Sequence, residues 1–273
     1  MEPASKPRGS IQETATFSRR FLVLFALFVL GTGCWAITGD DIINKVDANM
    51  TFNTARIEAA MIIHVDNEVR KKEMLMYERG KDTGYAEFLS PPRDKGVKYL
   101  KIKDNMWMYL PDVDKIIKIA GHMLRQSMMG SDFSYEDALE SSKLLEKYTA
   151  TLISEEVVAV PYHEGGKKLE RLRDCYVVNL VAKVKEVTYY QRMIWVDKEH
   201  MVPVREDLFA MSGKKLKTSF NGDIKRFGAR YYPMYGIMSN LLRQNSYTEL
   251  VISKVQFDLP IPASTFTQGN LTK

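Results

Sequence analysis

Ala55-Arg-Ile-Glu-Ala-Ala-Met-Ile-Ile-His-Val65 decides the architecture. Ala55, Ile57, Ala59, Met61, Ile63 and Val65 take alternate positions, and Arg56, Glu58, Ala60, Ile62, His64 and Asp66 fill those between. Successive side chains of a strand point to opposite faces, so this stretch has one wholly apolar face and one mostly polar face. That is the pattern of an antiparallel strand with one side on a core. Towards the C-terminus, strands are predicted at Lys72 to Arg79 and Thr83 to Leu89, separated by the turn sequence Gly80-Lys-Asp82. After Pro91-Pro92, Val97 to Ile102 and Met106 to Leu110 flank Lys103-Asp-Asn105, and Pro111-Asp-Val-Asp114 leads into Ile116 to Ile119.

The alternation then stops. Gly121 to Tyr148 lacks period two and carries Met123, Leu124, Met128, Met129 and Phe133. Tyr135 to Tyr148 reads as a helix, with Ser134 as N-cap and Asp137 at its third position. Strands resume at Thr149 to Val160 and continue through Cys175 to Val184, Val187 to Asp197, Val202 to Phe209, Leu216 to Ile224 and Thr248 to Phe257. On the N-terminal side, Thr38 to Ala48 is predicted as a short helix capped by Thr38, with Ile42, Ile43 and Val46 on one face. The count is about ten to eleven strands in meander order, with helices at the start and in the middle. This describes a curling antiparallel sheet in a mainly β, α+β chain, not a βαβ protein. No repeat or linker divides residues 37–273, which are read as a single domain.

Composition narrows the function classes. Of 273 residues, 45% are hydrophobic and 27% charged, which excludes a wholly disordered chain. The net charge is +5; the first 36 residues carry Lys6, Arg8, Arg19 and Arg20 against Glu2 and Glu13, leaving about +3 for the rest. That is too little to argue for a nucleic-acid partner. Arg19-Arg20, the apolar run Phe21 to Leu30 and the small residues Gly31, Thr32, Gly33 and Ala36 follow the order of a Sec signal peptide over residues 1–36. The apolar run is shorter than the roughly 20 residues of a membrane span. Two outcomes remain open: cleavage near Gly33, making Cys34 a lipidation site, or cleavage after Ala36. Beyond Cys34 only Cys175 remains, so no disulfide is expected within the mature domain, and Cys175 reads as a small buried hydrophobe.

Catalytic signatures are missing from the sequence. There is no G-x-S-x-G elbow, no H-E-x-x-H, no C-x-x-C and no phosphate-binding glycine loop; His64, His122, His163 and His200 are dispersed. Ser131-Asp132 lies near His122 in sequence, but Ser131 reads as a turn residue. No catalytic residue, metal or cofactor is therefore expected. The basic clusters Arg70-Lys-Lys72, Lys167-Lys168 and Lys214-Lys215 read as solvated faces, with contact to anionic headgroups as the second reading.

Several runs together resemble a known family. Met106-Trp-Met-Tyr-Leu-Pro111, Ile116-Ile-Lys-Ile119 and above all Met129-Gly-Ser-Asp-Phe-Ser-Tyr-Glu-Asp137 are similar to the outer-membrane lipoprotein-sorting (LolA-like) group, in a divergent branch. Trp195-Val-Asp-Lys198, Pro203-Val-Arg205, Gly213-Lys214, Phe266-Thr267 and Leu271 follow in the expected order. The resemblance implies an incomplete, strongly curved barrel with helices covering its concave side. It also implies a non-enzymatic periplasmic carrier of lipoprotein acyl chains or other lipids in a diderm bacterium. Partners implied are an inner-membrane ABC transporter and an outer-membrane acceptor; the alternative is a lipid-binding accessory of an RND-type exporter, tethered through Cys34. A lipid-acting hydrolase is the remaining reading. Candidate cavity or lid residues are Trp107, Tyr109, Met123, Leu124, Met128, Met129, Phe133 and Tyr135, with Gly130, Ser131 and Asp132 as the lid turn. Trp107 and Tyr109 share one strand face, and Met106, Met108 and Leu110 the other; the sequence leaves open which face points inward.

Overall fold

A computed structural model describes residues 36–139, 144–185 and 187–273. The expected signal peptide falls, through residue 35 and with Cys34, outside the described residues. Ile37–Lys273 form one compact unit.

Among the described residues, thirteen strands make one antiparallel sheet. The first half is a meander: β1 (Thr54–Val65), β2 (Glu68–Arg79), β3 (Thr83–Ser90), β4 (Lys98–Ile102), β5 (Asn105–Leu110) and β6 (Lys115–Ile119). The second half is another: β7 (Tyr148–Glu164), β8 (Lys167–Ala182), β9 (Gln191–Asp197), β10 (Pro203–Phe209), β11 (Lys215–Phe227), β12 (Arg230–Asn240) and β13 (Ser246–Phe257). The pairing of β1 with β13 joins the halves, so the order runs β6-β5-β4-β3-β2-β1-β13-β12-β11-β10-β9-β8-β7. β6 and β7 are the two edges, and the sheet is not closed between them. The segment that joins these edges in sequence, Ala120 to Lys147, is the non-alternating stretch.

The curvature is strong enough to bring edge strand β7 against β11, four places away in the order. A Cβ added at Gly222 in β11 would stand 1.8 Å from the Pro161 carbonyl oxygen in β7. Nearby, the His163 backbone N–H donates to Asp223 Oδ1 at 2.7 Å, and His163 Nδ1 lies 2.8 Å from Oδ2. Helix α1 (Gly39–Asn49) starts at N-cap Thr38 with the reciprocal Thr38–Asp41 bonds of a capping box. It buries Ile42, Ile43 and Val46 against Tyr148, Val178, Leu180, Ile194 and Val196 of β7–β9. Gly39 permits this approach, since a Cβ there would lie 2.8 Å from the backbone of Ala150 and Thr151.

The observed strands exceed the sequence-based count. β12 escapes the sequence pattern because Pro233 and Gly236 interrupt it, and Pro233, Met234 and Tyr235 are buried in succession, leaving no alternation to read. Of the helix expected over Tyr135 to Tyr148, the described residues show α2 (Tyr135–Leu139) and α3 (Leu144–Lys147), while Tyr148 opens β7 instead. Cys175 is fully buried, and its thiol is pushed up to about 12 by burial and then by the nearby Asp197 and Asp174 carboxylates.

Three outcomes test this arrangement. Gly222→Ala should destabilise the chain by about 3 kcal/mol in a denaturant titration, because backbone must move to admit the methyl group. Gly269→Ala, facing open space, should change stability by under about 0.5 kcal/mol. Cys175 should react with a thiol reagent at neutral pH only as fast as the chain opens, as mapped on its peptide by mass spectrometry.

Candidate functional site

The inner face of the first meander is apolar strand by strand. Cross-strand partners point the same way. Ile57 is paired with Met76, Met76 with Ala86, Ala86 with Tyr99, and Tyr99 with Met108. Met61, Met74, Phe88 and Met106 belong to the same cluster. Over it lies the segment from Ala120: Met123, Leu124, Met128, Met129, Phe133, Ala138 and Leu139 pack against this face, each only partly buried, and Tyr135 is buried in it. Tyr135 packs 5.9 Å from Tyr99, ring to ring, and its hydroxyl donates to Met108 Sδ at 3.9 Å. The segment is a lid on an open half-barrel.

Beneath the lid is a cavity of about 130 Å³, walled by Met74, Met76, Ala86, Phe88 and Met106 on the sheet and by Met128 and Ala138 on the lid. Glu78, Tyr99 and Lys101 also border it. Burial pushes the Glu78 carboxyl up, with the Lys101 ammonium opposing. Many inner-face side chains, including Met76, Met108, Leu250, Ile252, Phe257 and Tyr232, stay partly uncovered.

The run Met129-Gly-Ser-Asp-Phe-Ser-Tyr-Glu-Asp137 attaches the lid. Met129 and Gly130 turn the chain with φ of 54° and 80°. Ser131, fully buried, donates from Oγ to the Met128 carbonyl at 2.7 Å and accepts from the Phe133 N–H at 3.2 Å. Asp132, 1% exposed, accepts hydrogen bonds from Thr248 Oγ1 at 2.7 Å and Ser246 Oγ at 2.9 Å, while its own N–H donates to Thr248. Arg243 donates to the Ser131 carbonyl at 2.9 Å. Ser134 and Asp137 form the reciprocal cap of α2, as the sequence predicts. Asp137 also forms an ion pair with buried Lys217 of β11 and accepts from the Tyr189 hydroxyl at 2.6 Å. A third tie runs from Lys101 Nζ to the Ala138 carbonyl at 3.2 Å. The lid is therefore fixed to β11 and β13 by buried polar groups and laid on β1–β6 by apolar ones, with the part-buried Lys101 of β4 as the one polar contact described on that face.

Six of the eight nominated cavity or lid residues come together on this face: Met123, Leu124, Met128, Met129, Phe133 and Tyr135. Trp107 and Tyr109 do not, and their nomination as cavity residues is corrected. Trp107 is paired with Leu100, which is paired with Tyr85, and these pack on the opposite face with Tyr109 against Phe266 and Leu271 from the C-terminal segment. Met106 and Met108 take the inward positions instead. Tyr109 donates to Asp114 at 3.0 Å, and Lys118 lies over the Trp107 ring. Sequence reasoning also misses Glu78, Tyr99 and Lys101; an even-numbered charge in line with Met74 and Met76 is the available signal for Glu78.

Ser131 stands as a turn brace, its hydroxyl occupied by backbone partners. Asp197, Glu199 and His200 are grouped closely enough to hold a cation. Arg173 already serves that cluster, 3.6 Å from Asp197 and 3.2 Å from Glu199, while His200 Nδ1 lies 2.5 Å from Asp197.

Among solved structures, a domain named for outer membrane lipoprotein sorting, from Vibrio parahaemolyticus, superposes with a TM-score of 0.73 at 22% identity, over 86% of this chain and 98% of that one. A DUF1329 family protein from Desulfovibrio piger gives 0.75 at 25% identity, over 85% and 97%. A LolA superfamily protein from Nitrosomonas europaea gives 0.68 at 19%, over 86% and 100%. No curated protein matches by sequence. A protein-family model described as "Uncharacterized protein" matches residues 80–273. The chain belongs to that family, and its fold is the open, curved barrel of the LolA-like proteins.

Proposed function

We propose that this chain is a carrier that shields the apolar chains of a lipid or lipoprotein between the half-barrel and its lid. The observation that carries the reading is the apolar cavity under a Met-rich lid whose buried anchors, Asp132 and Asp137, are polar and separate from its apolar contacts. Each methylene removed from water contributes about 0.8 kcal/mol, so a chain needs no specific polar contact to bind well. A cavity near 150 Å³ takes about one benzene ring. The present 130 Å³ thus holds only part of an acyl chain, and uptake of a whole one requires the lid to lift from β1–β6. Methionine suits that surface, since its flexible thioether adapts to different apolar shapes.

The expected leader over residues 1–36 supports a place in the periplasm of a diderm bacterium, with Cys34 either removed or acylated as a tether. In that setting an inner-membrane ABC or RND-type transporter would hand cargo over, and an outer-membrane acceptor would receive it. The hydrolase reading is less well supported, because Ser131 Oγ is buried and bonded to backbone.

Protein purified from its own envelope and sprayed intact in a mass spectrometer should carry acylated species near one per chain. Met128→Asp, which puts a charge in the cavity wall, should lower that occupancy at least about tenfold, since an unpaired charge against hydrocarbon is strongly unfavourable. Trp107→Ala, on the opposite face, should leave it unchanged. An empty protein that also refuses added lipids would end the carrier reading. Separately, Asp132→Ala should lower the opening free energy of residues 121–135 by about 1.5–3 kcal/mol in amide hydrogen exchange, because it removes charge-assisted bonds to Ser246 and Thr248.

A further inference from the structure

Two polar groups in the cavity wall have no use in holding a plain hydrocarbon chain. Tyr99 is 4% exposed, and its Oη has no hydrogen-bond partner. The adjacent Tyr135 hydroxyl acts on Tyr99 electrostatically, while the hydrogen bond it makes is to Met108 Sδ. Glu78 stands on the same wall, in line with Met74 and Met76 along β2. Its neighbour across the pairing is Gly84, followed by Lys101, so the space beside its carboxyl is not filled by an intervening side chain. Lys101 is turned to the lid, donating to the Ala138 carbonyl. Among the described residues the Glu78 carboxylate makes no hydrogen bond.

Buried polar groups are almost always paired in native proteins, so the orphaned Tyr99 hydroxyl calls for an explanation such as a bound partner, while the half-buried Glu78 carboxylate beside it keeps some access to solvent. Sheets offer simple escapes: Phe in place of Tyr99, or another Met in place of Glu78, would continue the apolar face. What would pair both groups is defined by their chemistry. A ligand ammonium would be drawn to Glu78 but opposed by Lys101, and a ligand carboxylate or phosphate drawn to Lys101 but opposed by Glu78. A hydroxyl meets neither objection, since it donates to the carboxylate and accepts from a phenol.

We infer that the cargo is a hydroxylated amphiphile, whose hydroxyl groups bond to Tyr99 Oη and Glu78 while its hydrocarbon fills the apolar cavity. This rests on the carrier reading and adds a selection rule to it. A site built to hydrogen-bond a ligand hydroxyl discriminates against the analogue lacking it, because the protein groups are then left unpaired.

The test is a competition between stearate and a set of hydroxystearates differing in hydroxyl position, all used as their uncharged methyl esters, each displacing a fluorescent fatty-acid methyl ester from the full chain. At least one hydroxystearate should bind about tenfold more tightly than stearate. Tyr99→Phe and Glu78→Met should each reduce that advantage, and together abolish it, while stearate binds as well or better. Both variants remove an unpaired polar group, so their melting temperatures should hold or rise; this separates lost selectivity from lost folding. No preference for any hydroxystearate, or a preference that survives both substitutions, would overturn the inference and leave carriage of plain chains standing. Failure of stearate and every hydroxystearate to bind would overturn the carrier reading as well.

Discussion

The sheet stays open between β6 and β7, and the rest of the molecule answers to that gap. A closed barrel would cover its own inner face and leave no edge. Here the inner face of β1–β6 must be covered by chain that is not part of the sheet, and the segment placed by sequence to do so is the one joining the two edge strands. The composition of this lid suits what it covers, with methionines, leucines and a phenylalanine towards the sheet and serines and aspartates where it meets strand ends. Helix α1 does the same for β7–β9 with Ile42, Ile43 and Val46.

The lid's two kinds of contact differ in their physics. Apolar contacts with the face are non-directional and can be exchanged for contacts with hydrocarbon at little loss. The Asp132 and Asp137 contacts are directional and buried, and breaking one partner of a buried ion pair such as Lys217–Asp137 leaves a charge uncompensated. A segment fixed by the second kind and resting on the first can part from the sheet without losing its place. That division gives the chain a way to admit cargo and then return to the same closed arrangement.

Much of this is legible in the sequence, for identifiable reasons. β1 announces itself because one face of the sheet is buried and the other is wetter, so burial alternates strictly from Thr54 to His64. The lid stands out as the stretch where alternation fails but apolar residues persist, and its capping box needs only Ser134 and Asp137. β5 is ambiguous because both its faces are covered, one by the lid and one by the C-terminal segment around Phe266 and Leu271. Met-Trp-Met-Tyr-Leu is then apolar throughout, and period two carries no direction. The polar members of the cavity are harder still: Tyr99 and Lys101 look like ordinary strand residues until their cross-strand partners are known.

The pairing of β1 with β13 has a consequence for how the chain acquires its structure. These strands are nearly two hundred residues apart, yet their register, from Ala55 with Phe257 to Val65 with Ser246, is what makes one sheet of two meanders. Contacts between distant parts of a chain are slow to form, because a long loop must close before they contribute. Until Ser246–Phe257 has been synthesised, β1 and β12 both present unpaired edges, and each half is a partial sheet able to pair with a neighbouring chain. Assembly is therefore decided at the C-terminus, and a truncation of some thirty residues would cost the molecule its central seam rather than a peripheral strand.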